Sequence, residues 1–214
     1  MNSRHYEKYF GGDRPEMLKF IPSAARYILD VGCGKGKFGA ILQKKGCEVW
    51  GVELDASAAE EASKKLFRVV HGNITSNLDL PENYFDCIVF NDVLEHLVDP
   101  WEILSHIKQY LVKESGIIVA SLPNVRQIYN IYQLLLKKDW QYHDSGILDK
   151  THFRFFTQKS IKRFFKDCDY ELLRMEGIDP FKNIFFELLN FLCLRAINDM
   201  KYLRFACVAK PCNY

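Results

Sequence analysis

Between Ile28 and Gly39 the sequence reads ILDVGCGKGKFG. An apolar run holding one aspartate leads straight into four glycines, Gly32, Gly34, Gly36 and Gly39. Such glycine density is poor material for the interior of a helix or strand, because glycine loses the most backbone freedom on ordering. The stretch therefore predicts a strand, a tight turn and a helix start, an arrangement that brings a ligand against backbone amides at the carboxyl edge of a sheet. Gly34, Gly36 and Gly39 form a literal GxGxxG. Taken alone, that motif admits NAD or another ligand that carries an adenosine.

Alternation continues on both sides of this turn. Short apolar runs at Tyr27–Val31, Glu48–Glu53, Arg68–His71, Cys87–Phe90 and Gly116–Ser121 predict strands. Helical spacing over Phe38–Lys45, Ala56–Lys65 and Trp101–Leu111 fills the gaps, with Asp55 or Ser57 as an N-cap and Gly46 as a C-cap. Strand–helix alternation with short loops predicts an α/β fold, a doubly wound parallel sheet with right-handed crossovers. After Pro123 the pattern changes. Helices are predicted over Val125–Leu136, Gln158–Asp167 and Phe181–Asp199, a polar aromatic loop over Lys137–Thr157, and strands over Tyr170–Gly177 and Arg204–Lys210. The last two strands suggest an antiparallel hairpin that closes the sheet. The 214 residues suit a single domain: an N-terminal arm or cap (1–24), a ligand-binding core (25–122) and an acceptor-side region (123–214).

Net charge is +2, so no global field recruits nucleic acid or an anionic membrane, and the expected partner is a small molecule. The cysteines are seven in number and form no CxxC pair, which predicts no disulfide framework and no metal, in a reducing cytoplasm. No apolar stretch reaches the roughly 20 residues of a membrane span, and no leader segment is expected.

Three features narrow the ligand. Asp30 precedes the glycines, where a carboxylate repels a pyrophosphate but suits a cationic ligand. Glu53 ends the second strand and can hold a ribose diol, which fits either ligand. The stretch YFDCIVFNDVLEHLVDP, 84–100, has no counterpart in NAD recognition. Together, ILDVGCGKGKFG, GVELD (51–55) and FDCIVFNDVLEHLVDP resemble the class I S-adenosylmethionine (SAM)-dependent methyltransferases, particularly the group with ubiquinone-type O-methyltransferases. SLPNV (121–125) and DSGILDKTHFRFFT (144–157) resemble a subset of small bacterial members that often accompany surface-polysaccharide genes. The resemblance implies a Rossmann-like seven-stranded sheet in the order 3-2-1-4-5-7-6, SAM as cofactor and S-adenosylhomocysteine as product.

It further implies roles for single residues. Gly32, Gly34 and Gly36 lie under the methionine part of the cofactor, and Asp30 orients the loop or the amino group. Glu53 takes the ribose, Asn73 the adenine amino group, Leu54 and Ile74 the adenine faces, and Asn91 the methionine end. His96 is either a general base or a structural histidine. His152 and Arg154, among the aromatics of the 142–156 loop, either line an acceptor pocket or form the wet face of an edge strand whose phenylalanines point inward. Tyr6, Tyr9 and Arg14 either cap the cofactor or belong to a packed arm. The acceptor is expected to be a saccharide, a nucleotide-sugar or another small molecule. Alternatives are a nucleic-acid or protein methyltransferase, a non-catalytic SAM-binding partner protein, and an NAD(P)-dependent dehydrogenase. Segment 181–197 is an interfacial helix, a buried covering helix or the face of a homodimer.

Overall fold

The computed structural model describes residues 12–74 and 78–212. Seven strands form one sheet in the order β3-β2-β1-β4-β5-β7-β6, as expected. They are β1 (Tyr27–Val31), β2 (Glu48–Glu53), β3 (Arg68–His71), β4 (Cys87–Asn91), β5 (Ile117–Pro123), β6 (Tyr170–Pro180) and β7 (Tyr202–Pro211). The first five are parallel. β7 runs antiparallel between β5 and β6, with Val119 opposite Val208 and Glu176 opposite Ala206.

The central strands are apolar on both faces because both faces are covered. On one face Leu29, Val52, Phe90 and Ala120 pack with Ile103 and Leu104 of α3 (Pro100–Ile107) and with Ile161 and Phe165 of α5 (Gln158–Asp167). On the other, Ile28, Val49, Val89 and Val119 pack with Phe38 and Leu42 of α1 (Lys37–Lys44), with Ala62 of α2 (Ala56–Ser63), and with Met17 and Phe20 of a short 3-10 turn. Asp55 caps α2, its carboxylate accepting from the Ala58 amide at 2.8 Å. Gly46 stands just past the end of α1 at φ +90°, where the left-handed region favours glycine.

Three predicted helices are shorter than their patterns. Trp101–Leu111 becomes α3 plus a 3-10 turn over Lys108–Tyr110. Val125–Leu136 becomes α4 (Ile128–Tyr132), which widens into a π-helical turn over Gln133–Lys137. Phe181–Asp199 retains only α6 (Ile184–Leu192), because β6 runs on to Pro180 and the chain turns at Leu194 and Arg195, both at positive φ. Among the described residues no helix is long and apolar enough to cross a membrane.

Candidate active site

In a doubly wound sheet, ligands bind outside the carboxyl ends of the strands where the strand order reverses. Here that point lies between β1 and β4. The glycine loop leaves β1 there, with Gly32 at φ +67°, Gly34 at +52° and Gly36 at +72°. Gly36 is the N-cap of α1. A Cβ on Gly32 would sit 2.6 Å from Val93 Cγ2, and one on Gly39 would sit 2.7 Å from Leu66. These two glycines are thus required by the protein's own packing.

Glu53 holds the loop from the neighbouring strand. One of its oxygens accepts from the Gly34 amide at 2.8 Å and the other from the Asp55 amide at 2.9 Å. Asp30 is buried beside it. Burial, reinforced by the Glu53 charge, raises the Asp30 carboxyl to about 8, and its Oδ2 has no hydrogen-bond partner. The half-buried Asn91 ends β4 with neither its amide nitrogen nor its amide oxygen paired. Unsatisfied buried polar groups are costly unless something binds them. An unpaired carboxylate oxygen and an unpaired amide suit a ligand that carries a cationic amino-acid end. Ile74 is buried, whereas Leu54 is 65% exposed and Asn73 is exposed at the adjoining rim.

Next to Asn91, Asp92 adopts φ +54°. Its Oδ1 accepts from the Ser121 hydroxyl at 2.6 Å, and its Oδ2 pairs with Arg14 and, at 3.0 Å, with Arg204 Nε. Arg204 also pairs with Asp179. Tyr6 and Tyr9 lie outside the described residues. Asp92, Ser121 and Arg204 were not singled out in the sequence. Arg204 in particular reads as an ordinary edge residue of β7.

A second cluster adjoins the first. Glu95 is fully buried in the 3-10 turn Leu94–His96. Neither carboxylate oxygen has a hydrogen-bond partner, and burial raises the group to about 8. Its Oε1 lies 4.0 Å from His152 Nε2. The rings of His96 and His152 meet edge to face at 4.5 Å. His152 Nδ1 donates to the Ile147 carbonyl at 2.9 Å. His96 Nδ1 faces the Thr151 carbonyl at 3.2 Å, while the Thr151 hydroxyl donates to Asp149 at 2.7 Å. These partners put the proton of each neutral ring on Nδ1 and leave Nε2 with its lone pair. Burial, together with the charge of His152, lowers His96 to about 4, and burial lowers His152 as well. The Phe153 and Arg154 amides donate to the Glu95 carbonyl, which fastens the loop to the turn.

The edge-strand alternative for this loop does not hold. His152 points inward, with a side chain 6% exposed, and Phe153 points outward. Arg154 donates to the Val98 carbonyl and lies over the Trp101 ring at 5.6 Å, so its guanidinium serves the loop's attachment. The expectation of no metal rested on local spacing. The fold nevertheless brings ligand atoms of Glu95, His96 and His152, from segments far apart in sequence, within 4.8 Å of one another.

Beside this cluster opens a cavity of about 280 Å³, lined by Gln127, Asn130, Gln133, Gln141, His143 and Ser145 among others. Ile147, whose carbonyl accepts from His152, also lines it.

A family model described as a methyltransferase domain matches residues 3–175. A ubiquinone biosynthesis O-methyltransferase of Alkalilimnicola ehrlichii is 28% identical over 170 residues, which cover 72% of this chain and 64% of that one. An uncharacterized methyltransferase of Mycobacterium bovis is 32% identical over 91 residues, covering 41% of this chain and 46% of that one. The chain thus spans about half to two thirds of the length of these curated relatives. Among solved structures, a SAM-dependent methyltransferase from Archaeoglobus fulgidus superposes with a TM-score of 0.70 at 21% identity, covering 97% of this chain and 98% of that one.

Proposed function

The chain belongs to the methyltransferase-domain family, and from that premise we propose that it transfers the methyl group of SAM to a hydroxyl of a small polar acceptor, a saccharide or nucleotide-sugar being the best fit. The observation that carries the acceptor side is the buried Glu95–His152 pair, joined through the Ile147 carbonyl to a cavity in which amides, hydroxyls and an imidazole stand among Ile147, Leu148 and Leu203. Such a lining matches a ligand rich in hydroxyls.

SAM supplies a methyl group on a sulfonium that needs no further activation. The protein's task is to align the acceptor, exclude water and remove a proton. Glu53 holds the glycine loop in its binding shape. Asp30 and Asn91 offer acceptors to the cationic amino-acid end, while Leu54, Ile74 and Asn73 form the rim for the base. His152, with its Nδ1 proton held by Ile147 and its Nε2 facing the cluster, serves as the general base; Glu95 beside it stabilises the imidazolium in the form where its own carboxyl is ionised. His96 orients the cluster through Thr151 and Asp149.

A second reading is favoured by the geometry of the same three side chains. Two imidazoles and a buried carboxylate are a donor set suited to a divalent cation, which would orient acceptor oxygens in place of a base.

The test is methyl transfer from labelled SAM to hydroxylated small molecules. His152→Ala is expected to lose turnover while its affinity for S-adenosylhomocysteine is unchanged; unaltered turnover would remove His152 from the reaction. Glu53→Ala is expected to lose cofactor binding by calorimetry. Activity that disappears on chelation and returns with a divalent cation selects the second reading.

A further inference from the structure

Helix α6 buries one apolar side chain, Phe186, and turns the rest of its apolar residues outward. Its polar Asn190 is buried and donates to the Asn198 side chain at 3.1 Å, while Ile184, Phe185, Leu188, Leu189, Phe191 and Leu192 face outward. Ile184 and Phe185 are each 77% exposed. The turn that follows holds Leu194 in the left-handed region and leaves it 91% exposed. A second exposed apolar run, Leu134–Leu136, lies on the π-helical turn after α4. Both runs are tethered to one short segment of chain. Asn124 and Arg126, in the loop between β5 and α4, bind Asp199, and α6 binds Asn198 and, through Glu187, Lys201. The two runs therefore share a corner of the molecule. That corner adjoins the carboxyl edge of the sheet, since β5 ends opposite the start of β7 (Pro123 opposite Arg204) and β6 ends there too (Pro180 opposite Tyr202). A soluble chain rarely exposes so much contiguous apolar surface without a partner for it.

The rim identifies the partner. Lys137 and Lys138 follow the leucine run directly, with Asp139 after them, and Lys182 and Arg195 bracket α6; all are exposed, and basic residues outnumber the one acid. The acidic Glu187 on α6 is paired with Lys201 at 3.5 Å. A second copy seated by two-fold symmetry would bring these basic rims against each other. An anionic lipid surface complements both the apolar centre and the basic rim. We infer that α6 and the 134–138 turn form a docking surface for an anionic membrane, which holds the carboxyl edge of the sheet toward the bilayer. The inference concerns attachment and stands whether or not the proposed chemistry does.

The experiment is co-sedimentation of the full chain with phosphatidylcholine vesicles, with and without phosphatidylglycerol. The expected result is pelleting that requires phosphatidylglycerol and weakens as salt screens the charges. A Phe185→Ser/Leu188→Ser/Leu192→Ser variant and a Lys137→Glu/Lys138→Glu/Lys182→Glu variant should each bind at least about tenfold more weakly. An unchanged thermal shift with S-adenosylhomocysteine shows that each variant still folds. No pelleting, or pelleting that neither variant alters, overturns the inference. A dimer by sedimentation equilibrium that the serine variant converts to monomer also overturns it, and assigns the surface to a second copy.

Discussion

At the residue scale the carboxyl of Asp30 sets a pH dependence that runs opposite to the usual expectation for an aspartate. With its pKa raised to about 8 by burial and by Glu53, Asp30 is mostly protonated at pH 7 in the free protein. A cationic ligand favours the ionised form, so binding SAM expels a proton. Affinity should then rise with pH, by up to about tenfold per unit below 8, and level off above it. Calorimetry in buffers of different ionisation enthalpy should find close to one proton released per SAM bound at pH 7. Asp30→Asn should bind SAM more weakly and without this pH dependence; an unchanged pH profile in that variant would dissociate Asp30 from the cofactor. The sequence announced Asp30 and Glu53 because each stands at a fixed place beside the glycines. It did not announce that Glu53 spends both carboxylate oxygens on the Gly34 and Asp55 amides. Nor did it announce Arg204 and Ser121, which reach Asp92 only through strand pairing.

Among the elements, the β6–β7 hairpin carries a hidden requirement. A Cβ on Gly177 would fall 2.1 Å from Tyr202 Cγ, so the Tyr202 ring lies flat over a position with no side chain. Gly177→Ala should displace that ring and cost about 1–3 kcal/mol in chemical denaturation. In a Tyr202→Ala background the same substitution should cost much less, and equal costs in both backgrounds would refute the contact. Strands were legible because buried parallel strands are short, apolar and bounded by turns, whereas their order came only with the family resemblance. The helices after Pro123 were overextended for a physical reason. Apolar residues at 134–136 and 193–197 keep a helix-like pattern that the chain uses for exposed surface and turns. The Glu95–His96–His152 cluster was read as two separate suggestions, because nothing local in the sequence says that the loop at 152 folds back under the turn at 95.

For the whole molecule, the order of assembly follows from the sheet. β7 comes last in sequence yet lies between β5 and β6, and the tightest interlocking of the fold is on its two sides. A chain stopped at Lys201 should lose cooperative unfolding and S-adenosylhomocysteine binding together. β5 would then offer an unpaired edge, β6 would have no neighbour, and Asp92 would lose Arg204. A cooperative transition in that truncated chain, seen by circular dichroism, would show that β1–β5 hold together without it.

The same placement makes closure of this sheet wait on β7. With β1–β6 alone the slot between β5 and β6 stays open, and it fills only when β7 has been made. A chain without β7 has bare edges on both β5 and β6, the form of this fold most open to edge pairing and to proteolysis.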